Sequence, residues 1–191
     1  MRKLIAGMRV SLDSQFEGPD GYADWVDAWS DGYGVVPQCD ACLLGAGMYP
    51  GYEQYWTRIQ NEPDQPHPAT GQKPTPDEVE YARFTARTPH YVLSTTMNLV
   101  SWPQTSFLRG VADVETLKKQ SGKDIYLVGG GQTLTSLIDA GLVDELRLTI
   151  YPLIAGGEKA LFATIRQRHN LELRKVDLLE SGKVSLIYEF K

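Results

Sequence analysis

The stretch Ile125-Tyr126-Leu127-Val128-Gly129-Gly130-Gly131-Gln132-Thr133-Leu134 decides the fold. A short apolar, β-branched run reads as a buried strand. It passes through three glycines straight into a segment whose Leu134, Leu137 and Ile138 share one helical face, closed by Gly141. Glycines let a backbone come close to a ligand, and a helix N-terminus presents unpaired N–H groups and the positive end of a dipole. Together they suit a pyrophosphate. The pattern is not the dinucleotide fingerprint of the doubly wound fold, because Leu134 stands where a further glycine is wanted.

Working outward, a second glycine turn has the same setting. Cys42-Leu43-Leu44 reads as a strand, Gly45-Ala46-Gly47-Met48 as the turn, and Pro50 fits the opening of an aromatic helix through Tyr52, Tyr55 and Trp56. Residues 3–10 form the first strand. Gly18-Pro19-Asp20-Gly21 is turn chemistry, and Tyr22, Trp25, Val26 and Trp29 fall at i, i+3, i+4, i+7, which predicts a helix with Asp24, Asp27 and Asp31 on its opposite face. Asp77–Ala86 reads as a helix capped by Thr75 or Asp77, and Val111–Gln120 as another. Tyr91–Ser94, Thr105–Leu108 and Asp124–Val128 read as strands. In the next strand Leu146, Leu148 and Ile150 alternate with Arg147, Thr149 and Tyr151, which predicts a half-exposed surface. Leu171–Asp177 and Val184–Phe190 read as an antiparallel hairpin around Glu180–Lys183. Strands separated by helices, then two consecutive strands, give an α/β fold: a mostly parallel mixed central sheet flanked by helices, with an antiparallel C-terminal edge.

Residues 61–76 carry Pro63, Pro66, Pro68, Pro74 and Pro76 and few apolar side chains, so they read as a surface loop, with the role of a lid open. Neither flanking half is complete alone, and 1–191 is expected to be one domain. The chain's 191 residues are 42% hydrophobic and 23% charged, enough for a packed core, and the net charge of −5 argues against a nucleic-acid backbone as partner. No apolar window suits a membrane span, and Arg9 and Asp13 interrupt the opening run too soon for a signal peptide; a cytoplasmic setting is expected. Cys39 and Cys42 form a lone C-x-x-C. No metal is expected, since His67, His90 and His169 are scattered; a redox role for the pair is the minor alternative to small residues at a strand start.

At this point the chain resembles a known group, the dihydrofolate reductase-like superfamily, and within it relatives of the reductase domain of bacterial riboflavin biosynthesis. Ser11-Leu12-Asp13, Gly18–Gly21 and Asp24-Trp25 resemble its amino-terminal pattern. Leu43-Leu44-Gly45 with Tyr49 resembles its second strand, and Leu93-Ser94 its mid-chain cofactor strand. The most specific stretch is Val128–Gly131, Ala140–Leu148, Pro152–Gly157 and Leu161-Phe162. The resemblance implies an NADPH-dependent reductase, with NADH the alternative, acting on a pterin-like, pyrimidine-like or ribosyl substrate. It implies that Ala6 flanks the nicotinamide, that Gly45, Ala46, Gly47 and Met48 meet the phosphates, and that Leu93, Ser94 and Thr95 meet the adenosine end. Val128, Gly129, Gly130, Gly131, Gln132 and Thr133 would hold the pyrophosphate, with a cis peptide between Gly129 and Gly130. Asp24 or Asp27 would orient the substrate. A homodimer is implied as well.

Ala46, Gly47 and Met48 stand where many relatives carry a basic residue and threonine, which leaves three readings: Arg2, Lys73, Arg109 or another residue replaces that cation, NADH is preferred, or the cofactor differs. The many aromatic residues of the amino-terminal half suit either stacking on a heteroaromatic substrate or a core and dimer face. A module that binds a nucleotide without turnover is the non-enzymatic alternative.

Overall fold

The structure, a computed structural model, describes the chain except for residues 19, 20, 27, 28, 30–32, 69 and 70. The described residues form eight strands, β1 (Leu4–Ser11), β2 (Cys39–Gly45), β3 (His90–Leu93), β4 (Thr105–Leu108), β5 (Asp124–Gly129), β6 (Glu145–Tyr151), β7 (Leu171–Leu178) and β8 (Val184–Phe190). They lie in one sheet in the order β4-β3-β2-β5-β1-β6-β8-β7. Pairing is parallel from β4 through β6; β8 runs antiparallel to both its neighbours. After β1 the chain skips one place to lay down β2, builds outward to β4, and returns to insert β5 between β2 and β1. That gap is where the winding changes direction, and crevices form at the carboxyl ends of strands around such a point.

Among the described residues four α-helices cover the sheet: α1 (Tyr49–Asn61), α2 (Pro76–Arg87), α3 (Val111–Lys119) and α4 (Gly131–Asp139). Alternate strand residues face opposite sides. Leu4, Ala6, Leu43, Ile125 and Leu127 pack with Val114 and Leu117 of α3 and Leu134 and Leu137 of α4. Ile5, Cys42, Leu44, Val92 and Tyr126 pack with Tyr52, Trp56 and Ile59 of α1 and Tyr81 and Phe84 of α2. The helices start where their sequence allows. Thr75 and Glu78 close a reciprocal capping box at α2, with Pro76 in the first turn.

Three expectations need correction. The helix predicted from Tyr22 to Trp29 is not formed where the chain is described. Residues 21–26 are bends and turns, and Val26 N–H donates to Ala23 O at 3.1 Å. The apolar stripe is nevertheless used, since Ala23 and Val26 pack on Tyr151 with Trp25 and Trp29 alongside; burial is satisfied by turns, without helical spacing. β6 is buried on both sides, not half exposed. Arg147 donates to Glu145 Oε1 at 2.5 Å, Tyr33 O at 2.5 Å and Gln38 Oε1 at 3.0 Å, so the segment around 33–38 covers the polar face that alternation assigned to solvent. The peptide between Gly129 and Gly130 is trans. Gly129 at φ +148° and Gly130 at φ +96° turn the chain through conformations open to residues without a Cβ, so the tight turn forms without isomerisation.

The β7–β8 hairpin closes the sheet, with Leu171, Leu186, Tyr188 and Phe190 packed against the core shared with α3 and α4. A bulge between Leu173 and Lys175 rephases β7 so that Leu171, Leu173, Val176 and Leu178 all lie opposite the same-face residues Phe190, Tyr188, Leu186 and Val184. Leu173, Val176 and Leu178 remain 48%, 54% and 79% exposed.

Candidate active site

The carboxyl ends of β1, β2 and β5 open onto a cavity of about 1120 Å³. Both glycine turns reach it: Gly45, Gly47 and Met48 on one side, Val128 to Thr133 on the other. Small-molecule and cofactor pockets span roughly 300–1,000 Å³, so this cavity is large enough for a dinucleotide beside a second ring.

The glycines serve different purposes. A Cβ on Gly45 would collide with Thr133 Oγ1, so this glycine lets the β2 turn seat against the start of α4. Around Gly47 there is open space. A Cβ on Gly129 would lie 3.3 Å from Met48 Sδ, and one on Gly131 2.7 Å from Phe16 Cε1. α1 and α4 both start without a side-chain cap, at Met48 and Gly130. At α1 Pro50 has no N–H to offer, which leaves Gly51 of the first turn at the cavity, while at α4 Gly131 to Thr133 line it; no side-chain oxygen caps either start, the arrangement that receives an anion. The residues present thus fit a dinucleotide's phosphates.

One flank is a pair of loops that the sequence did not tie to the site. Gln15 bridges Ala160, Leu161 N–H donates to Ser14 O at 2.9 Å, and Thr135 and Thr164 hydroxyls meet at 2.7 Å. Asp13 holds this corner by accepting from Ala155 N–H at 3.0 Å and Gly156 N–H at 2.8 Å. Ser11's hydroxyl, foremost, and these amides keep its carboxyl below the usual range. The other flank is aromatic. Tyr52, Tyr55 and Trp56 of α1, Tyr81 of α2, and Tyr33 and Tyr126 all line it. Tyr55 donates to Glu78 Oε1 at 3.0 Å, the same oxygen that accepts Trp29 N–H at 3.0 Å, so one buried carboxylate ties the 20s segment to both helices. From the proline-rich loop, His67 and Pro68 reach the cavity, with the His67 ring 4.3 Å from that of Tyr55. Burial and then Arg58 push the His67 pKa down, so the ring enters this wall neutral.

The other expected residues fall elsewhere. Ala6 is fully buried on the α3–α4 side of the sheet; its neighbours Gly7 and Met8 line the cavity. Leu93, Ser94 and Thr95 leave β3 beside Gly45 but do not line the cavity, and neither does Ala46. Arg109 braces that loop, donating to Ser94 O at 2.9 Å and Met97 O at 2.7 Å. Of the other substitute cations, Arg2 is buried at the opposite end of the sheet, paired with Asp40, and Lys73 is exposed on its loop. Asp24 is exposed and outside the cavity; Asp27 lies outside the described residues. Among the described residues the acids at the cavity are Glu17 and Glu158, and Glu17 is paired with Lys159 at 3.0 Å. Cys39 and Cys42 are buried in the core and form no disulfide, and burial pushes the Cys42 thiol well up, against redox use. No group of metal-ligating side chains occurs among the described residues. The sequence reading missed Arg9, Phe16 and residues 158–161, 163 and 164. The first two sit in β1 and the segment after it, where a pattern of buried alternation hides a side chain at a strand's open end.

The family follows from this geometry and from comparison. The chain belongs to the family of the RibD C-terminal domain, whose model matches residues 2–185. It is 32% identical over 193 residues to the uncharacterized protein YyaP of Bacillus subtilis, covering 99% of this chain and 95% of that one. Among solved structures, a putative riboflavin biosynthesis protein from Shewanella sp. PV-4 superposes with a TM-score of 0.69 at 19% identity, covering 99% of both chains. The dihydrofolate reductase of Enterococcus faecalis, complexed with NADP(H) and RAB-propyl, gives 0.62 at 14% identity over 99% of this chain and 96% of that one. The fold is that of the dihydrofolate reductase-like reductases. No helix among the described residues is long and apolar enough to cross a membrane.

Proposed function

We propose that the chain is an NAD(P)H-dependent reductase of a planar heteroaromatic substrate, with NADPH the preferred donor. One observation carries this: two uncapped helix starts at glycine turns and an aromatic wall face a single cavity. The backbone of Gly45, Gly47 and Met48 and of Gly129 to Thr133 would hold the phosphates; Ser94 and Thr95, with Arg109 behind them, would meet the adenosine end. When bound, the reduced nicotinamide supplies a hydride. The substrate takes the hydride at carbon and, from an acid or a positioned water, a proton at the adjoining heteroatom, so two electrons and two hydrogens are accounted for. Tyr33, Tyr52 and Tyr126 stack the ring and exclude water.

Asp24 and Asp27 remain the proposed orienting residues, and the exposure of Asp24 gives the competing reading, a nucleotide-binding module without turnover, its footing. Titration with NADPH and NADH, read by quenching of the cavity tryptophans and tyrosines, separates these. Binding followed by cofactor oxidation across a panel of pterins and flavin precursors supports the reductase. Binding without oxidation supports the module, and failure of both cofactors to bind overturns either. We place the protein in the cytoplasm as a single domain. We expect it to pair as a homodimer through the uncovered apolar face of the β7–β8 hairpin, because such a face is costly in water.

A further inference from the structure

Two sulfur atoms converge on one glycine of the site. A Cβ on Gly129 would lie 3.3 Å from Met48 Sδ, 3.6 Å from Met48 Cε and 3.6 Å from Met8 Sδ, so both thioethers stand at the glycine turn. They arrive from opposite layers. Met8 projects from β1, is only 7% exposed and belongs to the core shared with α3 and α4. Met48 precedes α1, packs at the border of the aromatic core and is half-buried where it lines the cavity. Beside it the space around Gly47 is open. Met48 is thus the sulfur that a small solute in the cavity reaches, and Met8 is the one behind it. The chain has two other methionines: Met1 is exposed and Met97 half-buried, and neither lines the cavity.

We propose that Met48 is a reversible oxidation site that closes the cofactor cavity. This rests on the reductase reading for what the cavity holds and adds how that binding is switched off. The oxidant is a peroxide. A lone pair of Met48 Sδ attacks one oxygen of hydrogen peroxide, the O–O bond breaks and a sulfur–oxygen bond forms. The second oxygen leaves as water with both hydrogens, so sulfur gives the two electrons that the peroxide takes. The product, a sulfoxide, is polar and carries a hydrogen-bond acceptor. Met8 Sδ already stands at the same glycine, which leaves the added oxygen the cavity side, next to the uncapped start of α4. There it takes N–H donors that a phosphate would use and sets a partial negative charge beside the anion. Methionine sulfoxide reductases undo the change.

The test treats the full chain with hydrogen peroxide, maps the sulfoxides by peptide mass spectrometry, and titrates NADPH, NADH and inorganic pyrophosphate before and after. Met48 is expected to oxidise ahead of Met8, and its oxidation to weaken binding by about tenfold or more, as loss of a charge-assisted hydrogen bond does. Methionine sulfoxide reductases acting on both epimers restore the affinity. Met48→Leu keeps the volume without the sulfur; whatever its starting affinity, peroxide leaves that value within twofold. Met97→Leu loses affinity on treatment as the wild type does. Binding that survives full oxidation of Met48 overturns the proposal. So does a loss that persists in Met48→Leu, or a Met48 that stays unoxidised while Met97 is converted. Should Met48→Leu not fold, enzymatic removal of the Met48 sulfoxide from the wild type decides: unrecovered affinity overturns the proposal. If pyrophosphate alone binds the untreated chain and is lost on oxidation, the reductase reading falls and the oxidation site stands. If none of the three binds the untreated chain, both fall.

Discussion

Gly45 and Thr133 show how a single missing atom fixes a site. The β2 turn and the start of α4 touch only because Gly45 has no Cβ to strike the threonine hydroxyl. Gly45→Ala is therefore expected to lower stability by about 1–3 kcal/mol, the usual range for overpacking, and to weaken NADPH binding. Thr133→Ala in the same chain should recover most of the stability, and a denaturant double-mutant cycle measures the coupling. Gly130 differs in kind: a Cβ there would make only ordinary contact with Thr133, at 3.6 Å, but at φ +96° its substitution by alanine strains the backbone, at about 1–3 kcal/mol, and Thr133→Ala should not relieve it. Sequence alone marked both glycines as ligand contacts. It could not separate these reasons, because φ and cross-element contact have no local signature. Arg9 was hidden likewise: one charge at the end of an apolar strand looks like the strand's exit to solvent.

Elements come next, and α2 is held by more than its propensity. Glu78 accepts from Thr75 N–H at 2.8 Å and the Thr75 hydroxyl at 3.0 Å through one oxygen, and from Trp29 N–H and Tyr55 through the other. Thr75→Ala removes only the cap, about 1 kcal/mol. Glu78→Ala leaves Tyr55 and the Trp29 amide unpaired in the cavity wall and should cost more than the cap alone, with loss of ligand affinity that Thr75→Ala does not show. β3 opens on His90, whose ring nitrogens meet Thr88 O at 2.7 Å and the Tyr52 hydroxyl at 3.5 Å. Burial outweighs the Thr88 contact and lowers its pKa from 6.5 to about 4. The unfolded chain then binds the extra proton first, so stability should fall as pH drops from about 6.5 to 4, by roughly 3 kcal/mol in all. His90→Gln should flatten that slope, as urea midpoints across this range would show.

The strands and the helices after 76 were legible because burial there follows simple periods. The 22–29 segment was not, since its tryptophans reach the core from turns. β6 misled because Arg147 is buried by partners at Tyr33 and Gln38, more than a hundred residues away.

At the scale of the molecule, the same sheet carries a site at one edge of its winding and an unfinished surface at its end. The bulge in β7 keeps four apolar side chains on one face, and three of them remain largely in water. Leu178→Glu is expected to convert a dimer to a monomer in light scattering without altering NADPH affinity, since the hairpin lies beyond β6 from the cavity.

The place of β5 has its own consequence for how the protein is made. It is the fifth strand synthesised, yet it sits between the first and second. A growing polypeptide of about 120 residues on the ribosome therefore holds β1 and β2 with facing edges unsatisfied, a slot kept open for a strand still in the exit tunnel. Any nascent fragment ending before Asp124 should be prone to aggregate and blind to coenzyme, and both properties should change together once the glycine turn emerges.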